Sequence, residues 1–169
     1  GNVKMGVLDL DNKPCFIDDV EQSVVDKYSL VKNDLIITLT GTRKKRDYGF
    51  MTLIRDNQQL LLNQRLARLR FSELISPSFF LYAMQSKTYR DQFFATETGN
   101  VGQGNASMNA VTKAAIQLPT MKEQQRIVEM VERRLSVADE IEKELDQALV
   151  RAERLRQAVL KSAFEGRLV

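Results

Sequence analysis

From Thr120 to Gly166 the sequence runs about 45 residues without a proline or a glycine. That uninterrupted stretch limits the possible folds more than any other feature of the chain. Thr120 and Glu123 have the S/T-x-x-E spacing of a capping box, a physical start signal for a helix. At 1.5 Å rise per residue the helix spans roughly 65–70 Å. With Ile127 at a heptad d position, the a positions are Val131, Ala138, Leu145, Ala152 and Val159. The following d positions are Arg134, Ile141, Ala148, Leu155 and Ser162. Small residues along this seam allow close helix approach, while Arg134 and Ser162 weaken its ends. The pattern predicts an antiparallel or intramolecular coiled coil. A domain built from the other residues is too small to cover so long a seam, so the helix needs a partner helix from outside this chain or from a missing part of it.

Residues 1–118 read differently, as a mixed domain, so the fold class is α+β: a globular mixed α/β domain (1–118) followed by one long helix (119–169). "GVLDLDNKPCFID" (6–18) suggests a short strand, a polar turn at Asn12 and Pro14, and a second extended piece. "DLIITLT" (34–40) is a compact β-branched and leucine run, hence a buried strand ending at Gly41. "GFMTLI" (49–54) is the strand that follows. "LLLNQRLARLRF" (60–71) fits helix or strand. Strand is favoured over 63–70, because the turn at "ISPS" leads straight into a clearer helix over 76–95 with Pro77 in its first turn. The glycine- and asparagine-rich first half of 96–119 predicts a loop.

Composition narrows the chemistry. The chain has no histidine and one cysteine, Cys15, which leaves little for a zinc site, a histidine general base or a disulfide framework. The thiol usage, the absence of a leading signal pattern and the lack of an 18-residue apolar run predict a cytoplasmic, non-membrane protein. Opening on Gly1 without a methionine reads as a fragment or a processed product. No GxxxxGK[ST] loop occurs, and "GNVGQGN" is not a dinucleotide fingerprint between strand and helix. No cofactor is therefore expected, neither ATP nor S-adenosylmethionine. The net charge of +3 is unevenly spread: residues 41–70 hold eight basic side chains against two acidic ones, a local net of +6. A concentrated positive field of that kind is the electrostatic footprint of nucleic-acid binding.

Several motifs resemble the specificity subunit of type I restriction–modification enzymes. Leu118-Pro119, the "EQQRI" at 123–127 and the closing "AFEGRLV" at 163–169 resemble the family's helix start and tail. "GNVKMGVLDL" (1–10), "KNDLIITLTGT" (32–42, with Asn33 where glycine is usual) and "LYAMQSKTYRDQFFATETGNVGQGNASM" (81–108) resemble its recognition-domain motifs in the right order. The resemblance spans essentially the whole chain. It implies one half of a subunit built as domain–helix–domain–helix, with the two helices antiparallel as a spacer. It further implies a non-catalytic chain that reads one half of a bipartite site in double-stranded DNA. Methyltransferase subunits and a restriction/motor subunit would be its partners, together with a second recognition half or a second copy of this chain.

The expected DNA-contacting residues are Thr40, Thr42, Arg43, Lys44, Lys45, Arg46 and Tyr48 in the basic loop. Arg68 and Arg70 on the next strand, and Asn100, Gln103 and Asn105 in the glycine-rich loop, complete the set. Hydroxyls and cations suit phosphates, arginine suits the guanine edge, and carboxamides suit adenine. The bland alternatives are a solvated basic turn, surface ion pairs for the strand arginines and a flexible loop at 99–109. Tyr82, Tyr89 and the phenylalanines at 79, 80, 93 and 94 read as core. The expected helix interface is Ile127, Val131, Ala138, Ile141, Leu145, Ala148, Ala152, Leu155 and Val159. Rival functions are a coiled-coil adaptor with a protein-binding domain, the recognition half of a fused restriction–modification enzyme, and a self-contained nuclease or methyltransferase.

Overall fold

The computed structural model describes residues 2–99 and 102–167. The chain forms two compact units, Gly1–Val128 and Glu129–Val169. The first unit begins with a hairpin of β1 (Val3–Lys4) and β2 (Val7–Leu8), then α1 (Gln22–Tyr28) and β3 (Ser29–Leu30). The centre follows, with β4 (Leu35–Thr38), β5 (Thr40–Gly41), β6 (Met51–Leu53), β7 (Leu60–Leu61) and β8 (Leu66–Leu69). Then come α2 (Pro77–Gln85), α3 (Lys87–Ala95), β9 (Gly104–Asn105), α4 (Met108–Thr112) and the long α5 (Met121–Phe164). The architecture is α+β with one long terminal helix, as the sequence predicts.

The centre of the first unit is an antiparallel sheet in the order β6-β4-β8. Leu35, Ile36 and Ile37 of β4 are all buried, which is why the strand reads as an unbroken apolar run rather than an alternating one. Leu35 and Ile37 join one core with Met51, Leu81, Met84, Tyr89, Phe93 and Phe94. Ile36 faces the other way, onto Val3, Leu30 and Ile54. Strand was the favoured reading of 63–70, and β8 occupies its second half.

Three local expectations are revised. The helix expected over 76–95 is two helices. Ser86 is extended (φ −61°, ψ 150°) and its hydroxyl accepts the Tyr89 N–H, so it ends α2 and caps α3. The polar turn at Asn12 and Pro14 does not lead to a second strand; β2 pairs back with β1 instead. The glycine-rich segment is not loop throughout, since it contributes β9 and is followed by α4.

The start of α5 is as the capping box predicts: Glu123 Oε2 accepts from the Thr120 N–H at 3.0 Å, and the Thr120 hydroxyl accepts from the Glu123 N–H at 3.4 Å. The Thr120 hydroxyl also donates to Glu123 Oε2 at 2.9 Å, and this bond first, then that from the Thr120 N–H, holds the Glu123 carboxyl below the usual carboxylate range. Gln124 is completely buried. Its Oε1 accepts the Ser76 N–H at 2.8 Å, and its Nε2 donates to the carbonyls of Leu74 at 3.1 Å and Pro119 at 2.9 Å. One carboxamide thereby ties the first turn of α5 to the N-cap of α2.

Beyond Glu129 the chain runs as α5 to Phe164, and the apolar seam of that helix is open to solvent. Leu145 is 59% exposed and Leu155 66%; Ile141 and Val159 are exposed as well, and so are Ala138, Ala148 and Ala152. Of the other seam residues, Ile127 is exposed and Val131 half-buried.

Candidate nucleic-acid interface

The β4–β6 hairpin carries the basic loop. Thr38 N–H donates to the Phe50 carbonyl and Gly49 N–H to the Thr38 carbonyl, both at 2.9 Å, so pairing continues to the base of the loop. The loop then closes on itself. The Arg46 N–H reaches the Thr42 carbonyl at 2.8 Å. Asp47 accepts the Thr42 N–H at 2.5 Å and the Thr42 hydroxyl at 3.2 Å, and the backbone bond above all lowers its carboxyl pKa. Gly41 is required by this closure: a Cβ there would sit 2.7 Å from Asp47 Oδ1 and 2.9 Å from Tyr48 Cβ. Gly49 has φ +68° against the Phe93 ring, a combination that excludes side chains. Arg46 also lies in the left-handed region, at φ 48°, which for a non-glycine residue costs about 1 kcal/mol and must be sustained by its surroundings.

Those surroundings come from the second predicted loop. β5 pairs antiparallel with β9, Thr40 with Asn105 and Gly41 with Gly104, which places the glycine-rich segment beside the basic loop. Arg43 Nη1 donates to the Gly99 carbonyl at 3.0 Å. Arg43 Nε lies 3.2 Å from one oxygen of Glu97, and Arg46 Nε 3.8 Å from the other. The Arg46 guanidinium sits 4.8 Å from the centre of the Phe94 ring, a cation–π contact. Lys44 and Lys45 are exposed and make no ion pair among the described residues. Two segments some 56 residues apart in sequence thus meet, and all the cations come from the first.

The other expected residues separate into groups. Thr42 is half-buried in the loop closure, and Thr40 is half-buried within β5. Gln103 is exposed beside β9, and Asn100 lies outside the described residues. Asn105 is turned inward, with its Oδ1 buried and unpaired, which is not the open carboxamide edge that adenine requires. Tyr48 is corrected from surface to core. It is 0% exposed and packs edge-on to Phe94 at 5.2 Å between centroids, so its ring cannot reach a ligand. Burial, and then nearby Glu97, push its hydroxyl pKa up to about 12.

Arg68 and Arg70 are also redirected. Leu66 of β8 pairs with Thr38 and Leu69 with Leu35, so Arg70 lies at the end of β4 away from the basic loop. There both arginines donate to the Ser29 carbonyl, at 2.6 and 3.3 Å. Arg70 also grips buried Asp34 through two bonds of 2.6 and 3.0 Å. Their chemistry is the ion pairing and backbone bonding of the bland reading. Arg65, on the same strand segment, is instead at the loop end: its carbonyl accepts the Leu39 N–H at 2.8 Å and its side chain is exposed. Glu97 and Phe94, which fix the arginines, are not singled out by sequence pattern. The one available signal is an acidic residue immediately before the Thr98-Gly99 step. Among the described residues no His/Cys/Asp/Glu cluster could hold a metal, and no helix is long and apolar enough to cross a membrane.

The chain is similar to several known proteins. The type I restriction enzyme EcoBI specificity subunit of Escherichia coli is 28% identical over 137 residues, 81% of this chain and 28% of that protein. The EcoKI specificity subunit of Escherichia coli strain K12 is 28% identical over 152 residues, covering 89% of this chain and 32% of the relative. The StySPI specificity subunit of Salmonella potsdam is similar at the same identity over 85% of this chain and 31% of its own length. The chain therefore spans about a third or less of the curated relatives it matches. Its fold is similar to that in the crystal structure of the HsdS subunit from Thermoanaerobacter tengcongensis, with a TM-score of 0.54 and 22% identity over 67% of this chain and 28% of that one. Residues 8–151 match the family described as type I restriction modification DNA specificity domain, and the chain belongs to that family.

Proposed function

We propose that this chain is one DNA-reading half of a type I specificity subunit, a non-catalytic element that binds one part of a bipartite duplex site. Its closed basic loop, flanked by the glycine-rich loop, meets the duplex. Methyltransferase and restriction subunits, held in place by the assembled specificity subunit, perform the chemistry. The open seam of α5 pairs with a second long helix, supplied by the other half of the subunit or by a second copy of this chain, and sets the spacing between two recognition domains. A cytoplasmic location follows from that role. The observation that carries the reading is the exposed basic loop at 43–46, braced by Glu97, Gly99 and β9, in a chain of the DNA specificity family.

Neutralising Lys44 and Lys45 tests it, because neither supports the fold through an ion pair. The K44Q/K45Q variant should keep its melting temperature and lose duplex affinity. Its log K against log salt slope should flatten by up to about 1.8, two phosphate contacts at 0.9 each. Fluorescence anisotropy on a mixed-sequence duplex between 50 and 200 mM salt reads both quantities. An unchanged slope would leave the loop a bystander and favour a protein-binding adaptor.

A further inference from the structure

For a surface whose task is to attract a polyanion, Glu97 is out of place. It puts a negative charge against two of the four loop cations, and its side chain is only 7% exposed, so it was not left there for solubility. Its geometry suggests alignment. Each carboxylate oxygen forms an ion pair, not a hydrogen bond, with the Nε of a different arginine. Phe94 supports the Arg46 guanidinium from one side, and the Gly99 carbonyl holds an Nη of Arg43. Both arginine side chains nevertheless stay about half exposed, at 46% and 56%. A guanidinium has five N–H donors in a rigid plane, so fixing the inner edge determines where the outer edge points. Arg90 crowds the same place: its guanidinium is 5.2 Å from the Phe94 ring, and burial and then the Arg46 charge lower its pKa. Without a carboxylate between them, these cations would spread apart.

We propose that Glu97 is a positioning residue for nucleic-acid contact, setting the planes of Arg43 and Arg46 so that their outward N–H edges meet phosphate oxygens of a duplex. The inference rests on the DNA-binding reading above and adds a residue to it. Charge counting and positioning make opposite predictions, which is what renders the idea testable. Removing a negative charge from a DNA-binding surface should tighten binding if charge alone matters. If Glu97 positions the arginines, removing it should weaken binding although the surface becomes more positive.

The experiment compares the full 169-residue chain with E97Q and E97D, and repeats E97Q in an R43Q/R46Q background. Anisotropy on a mixed-sequence duplex is recorded from 50 to 200 mM salt, with thermal melts as a check on folding. Positioning predicts weaker binding by E97Q. The affinity ratio between 50 and 200 mM salt should shrink about three- to fourfold for each phosphate that the arginines no longer hold. E97D, which keeps the charge on a shorter stem, should restore part of the affinity. In the R43Q/R46Q background E97Q should have no weakening effect, whereas simple damage to the fold would weaken both backgrounds alike and overturn the proposal. Equal or tighter binding by E97Q overturns it too, while leaving the DNA-binding reading intact. If the unaltered chain shows no salt-dependent duplex binding, the DNA reading itself fails and the role of Glu97 falls with it.

Discussion

Gln124 is the residue whose removal has the most readily worked consequence. In Gln124→Ala the Ser76 N–H and the carbonyls of Leu74 and Pro119 are deprived of a buried partner at once. Each intramolecular hydrogen bond is worth about 1 kcal/mol net, and a buried group left unpaired costs more than that average, so the sum is roughly 3 kcal/mol. For a unit of this size such a destabilisation lowers the melting temperature by about 10 °C. The damage should be local. Far-ultraviolet circular dichroism of the folded protein should keep its helical signal, because α5 retains its capping box, while hydrogen exchange should quicken around 74–77, where α2 begins. Gln124→Glu gives a second signature. A carboxylate facing two carbonyls is repelled, which raises its folded pKa above the unfolded value. Its protonated form can donate one hydrogen bond where the amide donates two, so part of the stability is present below about pH 4, the unfolded value, and is lost as pH rises through the raised folded one. A Gln124→Ala variant within about 1 kcal/mol of the parent, by urea denaturation, would refute the claim that this side chain fastens the helix start.

Arg70→Ala should cost about 2 kcal/mol in urea denaturation, because buried Asp34 is left without its bidentate partner, with the half-exposed guanidinium discounting the larger value of a fully buried pair. It should leave duplex affinity nearly unchanged, and a large drop in DNA binding with stability intact would return Arg70 to the interface. Tyr48→Phe should be neutral or stabilising by up to about 1 kcal/mol, since the buried hydroxyl has no hydrogen-bond partner. With the folded pKa raised to about 12, the parent should lose stability as pH climbs from about 10 to 12, and the variant should show a smaller alkaline loss, that of buried Tyr89, when denaturation midpoints are compared. Ile141→Asp with Leu145→Asp should weaken the self-association proposed for α5 at least about a thousandfold, two apolar side chains per copy being left unburied. Sedimentation that shows the same association in the variant would place the interface elsewhere.

The long helix was legible because its signals are local. A capping box acts over four residues, and the absence of Pro and Gly together with a heptad apolar repeat needs no knowledge of the rest of the chain. The buried strand at 35–38 was legible for the same reason, a short β-branched run with nowhere to put a polar face. The split at Ser86 was missed because a serine inside an apolar period fits either a helix surface or a cap, and only the packing of α2 and α3 decides between them. Which cation is free could not be read at all. Arg43, Lys44, Lys45 and Arg46 are equivalent as a run of letters, yet pairing β5 with β9 gives the two arginines to Glu97 and leaves the two lysines in solvent. Arg65 and Arg70 lie five residues apart on one segment, yet the register against β4 sends one to the loop end and the other to Asp34. Sequence alone determined where charge accumulates and where a helix must run. Tertiary structure decided which charges are already engaged, since ion pairing depends on distances between segments that are remote along the chain.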